Sequence, residues 1–209
     1  MKILRILIAA GLLFPAPLLS KEYFVSSPDG RLAVTVETAS GLSITVKYEN
    51  REIITGLSPE LQLEGLVIPG SRPVIARAVT ASVNDTLLPV VPRRNLAVPD
   101  IYNSLTLRFR GGASAEFRVY DDGFAYRFAT AMKGNVTVKN EIFGFALPAG
   151  AEALWPLEKG FMSHNECTFY HSSMDTVGVK HLASLPALFM TRGMNILISE
   201  ADIRDYPGL

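Results

Sequence analysis

Apolar and polar residues alternate with a period of two along most of the chain. Leu32, Val34 and Val36 share one face of a segment whose other face carries Thr35 and Glu37. Leu42, Ile44, Val46 and Tyr48 repeat the pattern, with Ser43, Thr45 and Lys47 opposite. Such alternation marks half-buried β-strands, because successive side chains of a strand point to opposite faces. Ser40-Gly41 suits the hairpin turn between these two, and Glu49-Asn50-Arg51 turns the chain into a strand over Glu52 to Thr55. Pro73 to Val83 is a further β-rich run.

The clearest block lies between Ser104 and Phe128. Leu105, Leu107 and Phe109 alternate with Thr106, Arg108 and Arg110; Phe117 and Val119 alternate with Arg118 and Tyr120. Phe124, Tyr126 and Phe128 alternate with Ala125 and Arg127. Gly111-Gly112 and Asp121-Asp122-Gly123 supply the turns, so a three-stranded antiparallel meander is expected. Val136 to Phe145 adds another strand, and Met194, Ile196 and Ile198 share a face near the C-terminus. The stretch from Leu57 to Pro99 holds six of the thirteen prolines and is expected as strands with long surface loops. Helical periodicity is weak after residue 20. The fold class is therefore all-β, a large antiparallel sandwich.

Composition narrows the function. The chain has 209 residues, enough for one domain, or one domain and a fragment. A (β/α)₈ barrel needs about 250. Lysine and arginine together number 20 against 20 acidic residues. That balance argues against nucleic-acid binding, which needs a basic surface. The single Cys167 excludes a disulfide framework and a cysteine-rich zinc module. Lys2 and Arg5, then apolar Ile6 to Phe14, then Pro15 and Pro17, follow the plan of a secretory signal peptide over residues 1–20. The apolar run is too short to span a bilayer. Cleavage takes the 20 cationic residues to 18 and leaves residues 21–209 as one slightly acidic domain, periplasmic or secreted, with no membrane attachment.

Catalytic motifs are sparse. There is no phosphate-binding loop, Gly-x-Gly-x-x-Gly turn, nucleophile elbow or His-Glu-x-x-His pair. His164-Asn165-Glu166 has the His-x-Glu spacing of a zinc deaminase but lacks the downstream Pro-Cys-x-x-Cys. His164 and His171 are candidate metal ligands that a polar loop explains equally well. Cys167 has no recognisable base partner, so apolar packing is its default. The pair Asp121-Asp122 can do acid–base work or bind a cation, but its place between two alternating strands favours a turn. Glu200, Asp202 and Asp205 form an acidic cluster within six residues. Such a cluster can give calcium several of its six to eight oxygens, or it can be a solvated strand end with an Arg204 ion pair.

Four stretches carry a family likeness. They are SSPDGRLAVTVE (Ser26 to Glu37), EFRVYDDGFAYRF (Glu116 to Phe128), WPLEKGF (Trp155 to Phe161) and ISEADIRDYPGL (Ile198 to Leu209). In this order they resemble the N-terminal region of glycoside hydrolase family 97, which includes α-glucosidases and α-galactosidases. The resemblance implies an antiparallel super-sandwich like that of galactose mutarotases, followed in the family by a catalytic (β/α)₈ barrel. It also implies that Glu200 is a calcium ligand shared with the barrel.

The family's catalytic carboxylates lie on that barrel, and glycoside hydrolysis needs two of them flanking one bond. This chain stops at Leu209, so no residue here takes a catalytic role. The expectation is an N-terminal piece of such an enzyme, incomplete at its C-terminal end, inactive alone and holding calcium weakly or not at all. Its origin would be an interrupted gene or an incomplete gene model. Its partners would be the barrel and, through the complete enzyme, an α-glucoside or α-galactoside. The alternative is a free-standing carbohydrate-binding module stacking sugars on Trp155, Tyr170, Tyr102 or Phe161. A mutarotase-type enzyme, using His164 or His171 with Glu166, is a third.

Overall fold

The computed structural model describes residues 21–91, 94–163, 166–177 and 181–201. Among them there is no helix, and the strands form three antiparallel sheets. Residues 1–20, where a signal peptide is expected, His164, and the acidic residues Asp202 and Asp205 lie outside the described residues.

The first sheet is built from β1 (Glu22–Ser26), β2 (Leu32–Glu37), β3 (Ser43–Tyr48) and β4 (Arg51–Leu63), in chain order. The short β5 (Leu66–Ile68) folds back on the end of β4. The second sheet is a meander of β6 (Ile75–Leu87), β7 (Val98–Phe109), β8 (Ala113–Val119) and β9 (Phe124–Thr130). β10 (Val138–Ala146) then crosses back to pair with β4. A third sheet holds β11 (Glu152–Glu158), β12 (Phe169–Ser173), β13 (Leu182–Ala183), β14 (Ala187–Thr191) and β15 (Met194–Ile198), ordered β12-β11-β14-β15 with β13 on β11.

The period-two segments bury the faces that the sequence marks as apolar. Val34, Val36, Ile44, Val46 and Leu57 of the first sheet meet Leu105, Leu107, Phe117 and Val119 of the second in one core. Phe117 is fully buried. Two polar links pin the sheets at one end: Asn103 Nδ2 donates to the Ser26 carbonyl at 2.9 Å, and the Asp29 amide donates to Asp121 Oδ1 at 2.9 Å. Asp121 and Asp122 thus sit in a turn, closed by the Tyr120 amide on the Gly123 carbonyl at 2.8 Å. Gly111 and Gly112 take φ of 106° and 93° in the β7–β8 turn, where a side chain would be strained.

The region from Leu57 to Pro99 is more regular than its prolines suggest. β4 runs without a break through Pro59. The reason is local. β3 pairs with β4 no further than Leu57, so at Pro59 only β10 is alongside and the missing N–H leaves no bond unmade on the other side. Among the described residues of that region, the stretches outside strands are the 64–65 turn, residues 69–74 between β5 and β6, and the connection from β6 to β7.

Candidate functional site

The third sheet positions most of the side chains singled out from the sequence. Its own small core is Ala153, Ala187 and Phe189. The Trp155 ring packs edge-on against Phe189 at 6.3 Å, and Phe189 in turn meets Phe145 of β10 at 5.6 Å. These contacts, with Leu147 and Ile196, join the third sheet to the sandwich. Trp155 Nε1 donates to Ser172 Oγ at 3.4 Å. Trp155 is therefore half-buried, with its indole turned to a core rather than laid open as a platform. Tyr170, its direct partner across the β11–β12 ladder, is exposed, and Phe161 is 94% exposed. Tyr102 is buried, with Tyr120 at 5.1 Å and the Arg118 guanidinium over its ring at 4.8 Å.

At the end of β11 a carboxylate is clamped from three directions. Ser163 Oγ donates to Glu158 Oε2 at 2.6 Å, and Ser184 Oγ donates to Oε1 at 2.7 Å. The Cys167 thiol donates to Oε1 at 3.5 Å. The two serine hydroxyls, with the thiol, hold Glu158 below the usual carboxylate range. Burial, and then the carboxylate itself, push the Cys167 thiol up. Such a thiol is a poor nucleophile, because the thiolate is the reactive form. Cys167 thus has a partner that the sequence does not reveal, and it is the wrong kind to activate it. The clamp ties Ser163, Cys167 and the segment before β14 onto β11.

His171 meets Glu152, not Glu166. Its Nε2 lies 3.0 Å from Glu152 Oε2 on an exposed surface. No hydrogen bond joins it to Glu166 among the described residues.

A polar cluster covers the outer face of the meander. Glu116 accepts from Arg118 Nε at 2.9 Å and pairs with Arg127 at 2.7 Å. Burial pushes its carboxyl up, but the two arginine bonds outweigh that and hold it low. Tyr120 donates to Asp100 Oδ1 at 3.0 Å, and burial with that bond raises its phenol.

An open groove of about 1060 Å³ is lined by residues of β4, β9, β10 and β15 and takes in the Glu116, Arg118 and Arg127 cluster. Leu57, Leu61, Tyr126, Phe128, Phe143 and Ile196 give it an apolar floor. Glu200 lines it together with Asp121, Asp122 and Glu141. Strand β15 ends at Ile198, so Glu200 sits just beyond the sheet rather than within it, half-buried. Among the described residues no group of three His, Cys, Asp or Glu side chains comes together as a metal site. Glu200 offers one carboxylate, which leaves most of a calcium shell to other ligands. No helix among the described residues is long and apolar enough to cross a membrane.

Comparison with known proteins agrees with this picture. The family model described as glycosyl-hydrolase 97 N-terminal matches residues 25–209. A retaining alpha-galactosidase of Bacteroides thetaiotaomicron is 28% identical over 199 residues, which cover 90% of this chain and 30% of that protein. A glycoside hydrolase family 97 enzyme from Pseudoalteromonas sp. strain K8, solved with acarbose, superposes with a TM-score of 0.69 at 21% identity. The match covers 81% of this chain and 27% of that one. A beta-arabinopyranosidase superposes with a TM-score of 0.70 at 18% identity, covering 80% and 29% of the two chains. The chain thus spans less than a third of the length of the relatives it matches.

Proposed function

The chain belongs to the glycosyl-hydrolase 97 N-terminal family, and from that premise we propose that it is the non-catalytic β-sandwich of a glycosidase acting on α-glucosides or α-galactosides. One observation carries the proposal: the family model for the N-terminal region matches residues 25–209, and the alignment with the retaining alpha-galactosidase covers 90% of this chain but only 30% of that protein. The sandwich supports a catalytic domain and lends it Glu200 as one calcium ligand. The position of Glu200 favours this role, since it lies just beyond the end of β15 and lines an open groove. The basic-then-apolar pattern of residues 1–20 supports export to the periplasm or beyond.

The test is a graft. This chain replaces the matching 30% of the retaining alpha-galactosidase, and the chimera is assayed for hydrolysis and bound calcium. The proposal expects an active chimera whose calcium content falls with Glu200→Gln. A folded chimera with full calcium content after Glu200→Gln would remove that residue from the metal, and a folded but inactive chimera would remove the supporting role.

The exposed rings of Phe161 and Tyr170 favour a second reading, a carbohydrate-binding module. Calorimetric titration with maltooligosaccharides and galactosides separates the two. Saturable binding abolished by Phe161→Ala or Tyr170→Ala would favour the module. Trp155→Ala is a poorer probe, because its ring is part of the small core.

A further inference from the structure

Strand β6 is the outermost strand of the meander, and no strand among the described residues pairs with its free edge. At 13 residues it is longer than the edge strands β1, β12 and β15, which have 5 each. Its ladder with β7 is regular over residues 77–87, which contain no proline, lysine or glycine. Ala78, Thr80, Ala81, Ser82 and Asn84 along it are exposed. Protein edges are commonly short, lysine-rich or kinked, because unpaired N–H and C=O groups are a template for another strand. Residues 77–87 lack these protections. Moreover, β8 accompanies β7 only from Asn103 onward, so residues 83–87 belong to a two-stranded ribbon, which is marginal alone in water.

The charges of β6 are mismatched within the chain itself. Arg77 and Asp85 are its only charged residues. In the ladder with β7, Arg77 stands opposite Arg108 and Asp85 opposite Asp100. Like charges directly opposite one another destabilise a sheet. The ion pairs of the described residues include neither Arg77 nor Asp85. Asp85 accepts the amide of the adjacent Thr86 at 2.7 Å. Both residues lie on the outer face of the meander, and Ala81 is midway between them.

A second copy of the chain supplies the missing complement. Two β6 strands paired antiparallel about a two-fold axis at Ala81 set Arg77 of each copy opposite Asp85 of the other, so one contact is made twice. Val79 then meets Val83, Thr80 meets Ser82, and Ala81 meets its own equivalent. Each charged row across the outer face reads Arg108, Arg77, Asp85, Asp100, two residues from each copy. The register is specific. With the axis at Thr80 or at Ser82, Arg77 falls opposite Val83 or Leu87 and the charges are unmatched. We infer that two copies of this chain associate edge to edge through β6, centred on Ala81, and join their four-stranded meanders into one continuous antiparallel sheet. This self-association does not depend on the glycosidase role.

Light scattering on the eluting chain over a range of concentrations tests it, and a dimer is expected. Arg77→Asp or Asp85→Arg alone sets like charges opposite each other at both ends of the contact. At the strength of cross-strand charge pairs, either should raise the dissociation constant about fourfold or more. The double variant Arg77→Asp, Asp85→Arg restores the match and should recover the association. Circular dichroism should show the fold intact in all three, because each new side chain faces an opposite charge on β7. The register has its own readout. Ala81→Cys in a Cys167→Ser chain brings two thiols together on the axis, with Cα atoms about 4.5–5.5 Å apart, within the span of a disulfide. Mild oxidation should link the copies there, and should not do so for Thr86→Cys in the same background. A monomer at all concentrations, a dimer indifferent to the single reversals or not recovered in the double variant, or an Ala81→Cys chain that links no better than Thr86→Cys would each overturn the inference.

Discussion

Phe189 is the side chain through which the third sheet holds on to the sandwich, and truncating it tests that joint. It is 5% exposed and lies edge-on to Phe145 on one side and Trp155 on the other. Phe189→Ala removes a buried ring, at a cost of about 3–5 kcal/mol for such a change. Phe189→Leu keeps most of the apolar volume but loses both ring pairs; at about 0.5–1.5 kcal/mol each, that is about 1–3 kcal/mol. A domain has only about 5–15 kcal/mol of stability in all, so the alanine variant should be visibly weakened. Urea unfolding reads the effect. With a slope of about 1–3 kcal/mol per molar, the alanine midpoint should fall by about 1–5 M. Trp155 is the sole tryptophan, so its fluorescence reports on the third sheet, while far-UV circular dichroism reports on all strands. If Phe145, Leu147 and Ile196 make the sheets one cooperative unit, both signals shift together. A fluorescence midpoint that moves while the dichroism midpoint stays would show that the third sheet melts by itself. Losses within about 0.5 kcal/mol for both variants would refute the packing argument altogether.

The Glu158 clamp gives a chemical prediction. Glu158→Ala removes the carboxylate that helps raise the Cys167 thiol, so alkylation by iodoacetamide should become faster than in the parent chain at neutral pH; unchanged or slower labelling would contradict the contact. Asp29, Glu116 and Glu158 are all held below the ordinary carboxylate range by hydrogen bonds, from Ser27 and Arg31, from Arg118 and Arg127, and from Ser163 and Ser184 respectively. Carboxyls whose pKa is lower in the folded state stabilise it above their unfolded value and lose that stabilisation as pH falls through the folded one. Melting temperature should thus hold level above about pH 4–5 and decline progressively below it, and a rise on acidification would contradict the assignment.

Much of the sandwich is legible in the sequence because its strands have one wet face. β2, β3, β7, β8 and β15 each show their buried side as every second residue, and the Asp121-Asp122-Gly123 turn announces itself between two such runs. The third sheet is harder to read. Along β11, Pro156 and the mixed pair Leu154 and Trp155 break the alternation, and β13 is only two residues long. The side-chain clusters are out of reach for a different reason. Glu158 gathers Ser163, Cys167 and Ser184, and Glu152 meets His171, across sequence separations that only folding closes. The groove likewise arises from where strands end relative to one another, which no periodicity encodes. Pro59 shows the converse, a residue whose presence suggests a loop and whose position in the sheet permits a strand.

The proposal that this sandwich supports chemistry performed elsewhere is tested most directly by assaying the purified chain against aryl α-glucosides and aryl α-galactosides, with calcium present. The account predicts no turnover above the buffer rate. Hydrolysis that survives purification and is abolished by a single substitution within the 209 residues would contradict it.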